Sequence, residues 1–289
     1  MNLFHGIIAL WLLAKAAASP VSNASGIFEF RCSVLSFNVT RYMHAAKTLR
    51  RGGFHVRRRE PASTNDVHFV QRARNEFGPD FEHYPHGMMA LSNRMSLEDM
   101  IHKFAQSNGA ANEWHFFFED DVAVHPEVDI TSVRKLLHKG QELAQTVGFM
   151  YLGVCGPRWS KVQHGQNDAL YRTCSGACTH AFGLTRARAT TLVDEANNAM
   201  KGRQRWGEQL RIRAFLRKKR RLSTSRTAGV AGCIVLDRRM YFDQKLLALG
   251  ERLGRPFLVV GANLTSPVDR DHVGIFYQDR AHFTTSIPS

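Results

Sequence analysis

The sequence predicts an α/β fold, with an open, mostly parallel sheet covered by helices on both faces, in a single domain. Apolar segments of strand length alternate with amphipathic segments of helical length along the 289 residues. An apolar content of 44% and a charged content of 22% are typical of a globular protein with a substantial core. The predicted strands are not followed by glycine-rich phosphate loops, which disfavours P-loop enzymes and classical dinucleotide-binding proteins.

The first elements alternate between strand and helix. Residues 27–36 are predicted to form a strand, residues 40–51 a helix that ends at a glycine pair, and residues 54–57 a short second strand. Residues 60–86 contain three prolines, which indicates a loop-rich segment.

The middle of the chain contains a helix followed by an aromatic strand. Residues 92–107 are predicted to be a helix because apolar residues recur at the spacing of one helical face. That face consists of Leu97, Met100, Ile101 and Phe104. Residues 114–118 (Trp-His-Phe-Phe-Phe) form an apolar run of the length and composition of a buried strand.

The second half continues the alternation. A helix is predicted at residues 131–146, strands at 149–152 and 179–184, and a late strand at 256–260. The helix after residue 184 has one apolar face, formed by Ala189, Leu192, Val193 and Ala196.

Three consecutive carboxylates, Glu119, Asp120 and Asp121, follow the aromatic strand. They cannot share a dry core, because a buried unpaired charge costs several kcal/mol or shifts its pKa. One interpretation is an acidic surface turn. The other is a ligand or cation site, because open α/β sheets bind ligands at the carboxyl ends of their strands and carboxylates are preferred ligands of Mg²⁺ and Mn²⁺. On extended backbone Glu119 and Asp121 would share one side and Asp120 would point to the other.

The N-terminus is typical of a secreted protein. Residues 1–19 combine an apolar stretch with small residues near a cleavage site, which predicts a signal peptide; a membrane anchor is the alternative. Sequons at Asn23, Asn38 and Asn263 are predicted glycosylation sites in the same pathway.

The chain has five cysteines, which an oxidising compartment would allow to pair. Cys174 and Cys178 are close in sequence and are a possible disulfide. Zinc binding is the alternative, but no second Cys/His pair has zinc-finger spacing.

The net charge of +14 is concentrated in one segment. Residues 201–226 contain eleven Lys and Arg residues and one acid, and we interpret residues 201–232 as a basic, mobile insert. Such a segment could contact an acidic glycan, a diphosphate or a membrane surface. Binding of nucleic acid is disfavoured, because Trp206 and Phe215 offer few rings for base stacking and the signal-like N-terminus argues against the nucleus.

Five short motifs resemble the pattern of glycosyltransferase family 25, which includes lipooligosaccharide and collagen galactosyltransferases. Residues 89–93 (Met-Ala-Leu-Ser-Asn) stand where that family has Cys-x-x-Ser-His, and residues 118–126 (Phe-Glu-Asp-Asp-Val-Ala-Val-His-Pro) where it has Leu-Glu-Asp-Asp-Val-x-x-x-Pro. Residues 151–153 match its Tyr-Leu-Gly strand, residues 179–192 loosely match its Thr-x-Ala-Tyr segment, and residues 242–243 match its late hydrophobic-Asp motif. The departures are Met89 for the motif cysteine and Asn93 for its histidine.

The resemblance implies a GT-A-like, Rossmann-like domain over residues 27–289. It also implies transfer of a sugar, with galactose or glucose favoured, from a nucleotide-diphosphate donor to a glycan or glycoprotein acceptor in the endoplasmic reticulum or Golgi. Mn²⁺ or Mg²⁺ is the implied cofactor. Asp121 is then the expected metal ligand, Glu119 and Ser92 the donor-binding residues, and Asp120 a catalytic candidate.

Two further site residues follow from the resemblance. Asp243 matches the late aspartate and would be the general base of an inverting enzyme; a helix N-cap is the alternative interpretation. His272 is a candidate metal ligand near the C-terminus, the alternative being a solvated histidine in a surface turn. A secreted protein of the same fold without catalysis is the competing functional hypothesis, and the departures at Met89 and Asn93 favour it.

Overall fold

The structure is a computed structural model that describes residues 29–79, 87–158, 170–173, 175–221, 241–253, 257–268 and 272–279. The predicted signal peptide at residues 1–19 and the sequon at Asn23 lie outside these ranges. In the part of the chain that is described, no helix is long and apolar enough to cross a membrane.

The described residues form ten strands and six helices. The strands are β1 (Phe30–Leu35), β2 (Phe54–Arg59), β3 (Trp114–Glu119), β4 (Val122–Val124), β5 (Phe149–Arg158), β6 (Leu170–Thr173), β7 (Ser175–Thr185), β8 (Phe257–Val260), β9 (His272–Gly274) and β10 (Phe276–Gln278). The helices are α1 (Val39–Arg51), α2 (Val67–Phe77), α3 (Gly87–Gln106), α4 (Ile130–Ala144), α5 (Arg186–Arg221) and α6 (Phe242–Leu253).

The main sheet is mixed, so the α/β class is confirmed but the prediction of a mostly parallel sheet is wrong. Its strand order is β2-β1-β3-β7-β5-β8-β6, with β9 added beside β5, while β4 and β10 form a separate ribbon. The pairs β1–β2, β1–β3 and β5–β8 are parallel, whereas the other four pairs of the main sheet are antiparallel. No described helix lies between β5 and β7 along the chain, and strands joined without a crossover helix pair antiparallel.

Helices cover both faces of the sheet, as predicted. On one face α1 and α4 pack their apolar stripes, for example Leu49 and Leu137, against Phe116 and Phe118 of β3. On the other face α3, α5 and α6 pack around Phe117. The aromatic strand is therefore buried on both sides, which explains its nearly continuous apolar sequence. The predicted faces of α3 and α5 are buried in full.

The prediction that residues 60–86 form a loop is wrong at the centre of that segment, where helix α2 forms. The prolines of the segment lie outside the helix. Asp66 caps the helix by accepting hydrogen bonds from His68 N and Phe69 N. Phe69 is buried against Leu91 of α3. Tertiary packing of one apolar face thus stabilises a helix that proline content alone argued against.

The basic segment is not a loop as far as it is described. Helix α5 continues to Arg221, so residues 201–221 extend the helix; that residues 201–232 are a mobile insert stays a prediction. Residues 222–232 lie outside the described ranges. Contact with an acidic glycan or membrane surface stays a prediction.

Candidate functional site

The carboxylate triplet lies where β1 and β3 end side by side. β3 ends at Glu119, which is in register with Leu35, the last residue of the parallel strand β1. Asp120 and Asp121 then form a turn before β4. The acids are therefore at the carboxyl edge of the sheet, the position that the sequence predicted for a ligand site.

Asp120 and Asp121 share one cationic neighbour, Arg41 in the first turns of α1. Arg41 Nη2 lies 2.7 Å from Asp120 Oδ1 and 3.9 Å from Asp121 Oδ2. Ser36, just after β1, donates its hydroxyl to Asp120 Oδ2 at 2.6 Å. The prediction that Asp120 points away from Asp121 is wrong, because side chains alternate only on extended backbone and these two residues form a turn.

Glu119 points to the other face of the sheet and accepts three side-chain hydrogen bonds. Thr179 Oγ1 and Asn93 Nδ2 donate to its Oε1 at 2.9 and 3.2 Å, and Gln278 Nε2 donates to its Oε2 at 3.2 Å. Burial raises the pKa of Glu119, and the charges of Asp120 and Asp243 raise it further against the effect of the hydrogen bonds. Glu119 is thus a half-buried, oriented carboxylate at the centre of the site.

Asp243 reaches the same site from the first turn of α6. Its Oδ1 accepts a hydrogen bond from Gln244 N at 2.7 Å, and the nearby backbone N–H of Cys178 acts to lower the pKa of its carboxyl. Burial raises the pKa of Asp243 despite these bonds. Both interpretations of this residue therefore have support, since it binds an N-terminal helix amide and also stands electrostatically close to Glu119.

The α3 motif contributes one residue to the site and one to the fold. Asn93, where the resembling family has histidine, contacts Glu119; an amide cannot exchange a proton as imidazole does. Ser92 is fully buried, and its hydroxyl donates to the carbonyl oxygen of Ala62 at 2.5 Å. The contact that Ser92 makes therefore secures the segment before α2.

The disulfide joins Cys155 of β5 to Cys178 of β7, so the predicted pairing of Cys174 with Cys178 is wrong. Cys174 itself lies outside the described residues. Because the sulfur of Cys178 is already bonded to that of Cys155, it is not available to Cys174. Cys155 is instead opposite Ala177 in the ladder, with its Cα 5.4 Å from that of Cys178.

His272 is a buried strand residue, which excludes the solvated surface turn. It pairs with Cys155 in the sheet, and its ring stacks on that of His180 with centroids 6.0 Å apart. Among the described residues, the one group of three possible metal ligands is Cys155, Cys178 and His180, with ligand atoms within 4.8 Å of one another. A disulfide offers no thiolate to a metal, and no such group includes Asp121 or His272.

Two predicted glycosylation sites are exposed. Asn38 is the N-cap of α1, where its Oδ1 accepts hydrogen bonds from Thr40 N and Arg41 N. Asn263 lies in the turn after β8. Their modification stays a prediction.

The sequence analysis did not identify three side chains of the site: Ser36, Arg41 and Gln278. Ser36 and Arg41 follow β1 along the chain. Because the carboxyl ends of neighbouring parallel strands lie at the same edge of a sheet, the position of these residues after the first strand was the sequence signal for them. Gln278 is 159 residues from Glu119 in the chain. Nothing local in the sequence indicates that contact.

A scan of protein-family models finds no match to this chain, and a search of curated proteins finds no significant relative. The functional inference therefore depends on the residues of the site and on the motif resemblance.

Proposed function

We propose that this protein is a glycosyltransferase of the secretory pathway that transfers a sugar, with galactose or glucose favoured, from a nucleotide-diphosphate donor to a glycan or glycoprotein acceptor. The observation that carries the proposal is the meeting of carboxylates from two distant segments at one sheet edge: Glu119, Asp120 and Asp121 after β3, and Asp243 at the start of α6. In this proposal the mixed sheet is a GT-A-like nucleotide-binding sheet.

The donor side of the site would lie at Asp121 and Arg41. Departure of a nucleotide diphosphate leaves negative charge that must be neutralised, and bound Mn²⁺ or Mg²⁺ would supply that neutralisation. Asp121 fits such an ion because its carboxylate is a hard oxygen donor at the carboxyl edge of the sheet. The described residues provide no cluster of three protein ligands around Asp121, so water and phosphate oxygens would complete the coordination.

The acceptor side would lie at Asp243 and Glu119. In this mechanism Asp243 takes the proton of the acceptor hydroxyl as that oxygen bonds to the sugar. The burial that raises the pKa of Asp243 makes its carboxylate a stronger base, which suits general-base catalysis. Glu119, held by three donors, would orient a donor or acceptor hydroxyl.

A binding protein without catalysis is the second candidate. Asp120 is already neutralised by Arg41 and Ser36, and Asn93 replaces the histidine of the resembling motif. These contacts are those of a stable, satisfied structure, which a non-catalytic protein would also retain.

Incubation of the purified full chain with a panel of nucleotide-diphosphate sugars, with and without Mn²⁺, tests both candidates. We expect Mn²⁺-dependent release of the nucleotide diphosphate from one donor, and loss of that release in the Asp243→Asn variant. Calorimetric binding of a nucleotide without release would favour the binding protein. Neither binding nor release by any donor would contradict both.

A further inference from the structure

Two adjacent residues of β7 face the two central carboxylates of the site. The backbone N–H of Cys178 lies close enough to Asp243 to lower the pKa of its carboxyl. The hydroxyl of Thr179 donates to Glu119 Oε1 at 2.9 Å. The backbone at 178–179 therefore links the proposed base to the proposed orienting carboxylate.

The backbone at Cys178 is in an unfavourable conformation. Its φ of +67° lies in the left-handed region, and it is the one non-glycine residue with positive φ in the described part of the chain. That conformation costs a non-glycine residue roughly 1–2 kcal/mol. The β5–β7 ladder also shifts register on both sides of Cys155. The segment therefore departs from regular extended backbone at the point where it faces the two carboxylates.

The disulfide is the covalent constraint at this point. It ties Cys178 to Cys155, a buried residue of the central strand β5. The buried ring of His180 lies directly after the segment, with Nε2 3.4 Å from the carbonyl oxygen of Phe276. The segment is thus held on the β5 side by the sulfur bridge and on the β10 side by His180.

We infer that the Cys155–Cys178 disulfide is a positioning element of the site, holding the 178–179 backbone in the conformation that presents its two donors to Asp243 and Glu119. The catalytic consequence depends on the proposed function. A dithiol reductant would break the S–S bond, leave one electron and one proton on each sulfur, and itself become a cyclic disulfide. Cys178 would then relax toward extended backbone, which would withdraw its N–H from Asp243 and the Thr179 hydroxyl from Glu119.

Reduction of the full chain with dithiothreitol, compared with the Cys155→Ser/Cys178→Ser double variant, tests the inference. In both cases we expect kcat to fall at least tenfold, with the KM for the donor within twofold, because Arg41 and Asp121 are untouched. Circular dichroism should show the fold retained. Cys174→Ser is the matched control and should keep both full activity and sensitivity to the reductant. A kcat of the reduced protein within twofold of the oxidised one would overturn the inference, as would loss of sensitivity in the Cys174→Ser control alone.

Hydrogen exchange of peptides that cover residues 175–182 separates this inference from the proposed function. We expect the amides of residues 178–179 to exchange at least tenfold faster after reduction, since the disulfide no longer holds this backbone in place. If the oxidised protein has no activity with any donor, the proposed function fails, and exchange alone decides the inference. Equal exchange rates in the oxidised and reduced protein would then overturn it.

Discussion

The ionisable side chains of the helical layer and those of the candidate site differ in how far their negative charges are paired with positive ones. In the helical layer, Arg94 is fully buried and donates to both carboxylate oxygens of Glu76, at 2.6 and 2.5 Å. Glu98 of the same helix is buried between Lys245 and Arg72, which both pair with it. At the candidate site, by contrast, Arg41 faces two carboxylates, Asp120 and Asp121, and Glu119 is within electrostatic range of Asp120 and Asp243.

The pKa of Glu76 and the pKa values of the two site carboxylates shift in opposite directions. Burial alone would raise the pKa of Glu76, but the hydrogen bonds and charge of Arg94 outweigh it, and the pKa is lowered. At the site, burial raises the pKa of Asp243 and of Glu119, and among the described residues no cation is a cause that lowers either pKa again. A balanced network is expected of a structural element, whereas unbalanced carboxylates with raised pKa are expected where protons or cations are handled.

Helix α6 connects the two groups. Lys245 faces the helical network and Asp243, two residues earlier, faces the site. The ion pair with Glu98 therefore sets where α6 begins relative to β3, and so where Asp243 stands.

The largest expected effect is that of Asp121→Ala. Removal of the proposed metal-binding carboxylate should abolish Mn²⁺-dependent transfer, because nothing then holds an ion against the leaving diphosphate. Release of nucleotide diphosphate measures the effect. Asp194→Ala, which removes an exposed carboxylate on α5, is the control and should leave the rate unchanged. Near-normal activity of Asp121→Ala would remove this residue from the proposed mechanism.

Asp243→Asn should lower kcat by about 10²–10⁴-fold, the range typical of a lost general base. Asparagine keeps the oxygen that accepts from Gln244 N, so the thermal stability should not fall. Initial rates and a thermal melt check both statements. A stability loss that parallels the loss of activity would instead favour the N-cap interpretation.

Arg94→Ala should lower the free energy of unfolding by about 3–5 kcal/mol, because it leaves buried carboxylates without their partner. Urea denaturation measures the change. The control is Arg31→Ala, which removes an ion pair to Glu113 from an arginine side chain that is 69% exposed and should cost about 0–1 kcal/mol. Equal losses of unfolding free energy in the two variants would show that burial does not make one ion pair contribute more to stability than the other.

Thr179→Val should lower kcat about tenfold, because a hydrogen bond to a charged group contributes about 1.5–3 kcal/mol. Thr179→Ser retains the hydroxyl and should recover most of the activity. Steady-state kinetics of both variants provide the comparison. Equal rates for valine and serine would mean that the hydroxyl has no role in positioning Glu119.

The smallest expected effect concerns the pH dependence of the unfolding free energy. A substitution in the helical network and one at the candidate site should change it in opposite directions. Glu76→Gln should destabilise the protein above pH 4.5, the ordinary pKa of this group, and the difference should vanish as the pH falls through the lowered folded value. Asp243→Asn should stabilise it above the raised pKa of Asp243, and that difference should vanish below pH 3.8. Unfolding free energies between pH 3 and 7 would reveal both trends; the same sign for both would contradict the comparison.

Several features could be predicted from the sequence because they depend on the hydrophobic periodicity and composition of a short segment. These features are the aromatic strand, the apolar faces of α3 and α5, and the position of the carboxylate triplet at a strand end. Helix α2 was missed, because proline content outweighed an amphipathic stretch whose apolar face is buried only by contact with α3.

The amino-acid sequence by itself determined the α/β class, most element positions and the carboxylates that end β3, since these follow from hydrophobic period and from the cost of burying charge. Only the tertiary structure decided the direction of β7, the partner of Cys178, the pairing of Asp120 with Arg41, and the approach of Asp243 and Gln278 to Glu119. The physical reason is distance along the chain: these contacts join segments tens to more than a hundred residues apart, and packing of the whole sheet sets which groups meet.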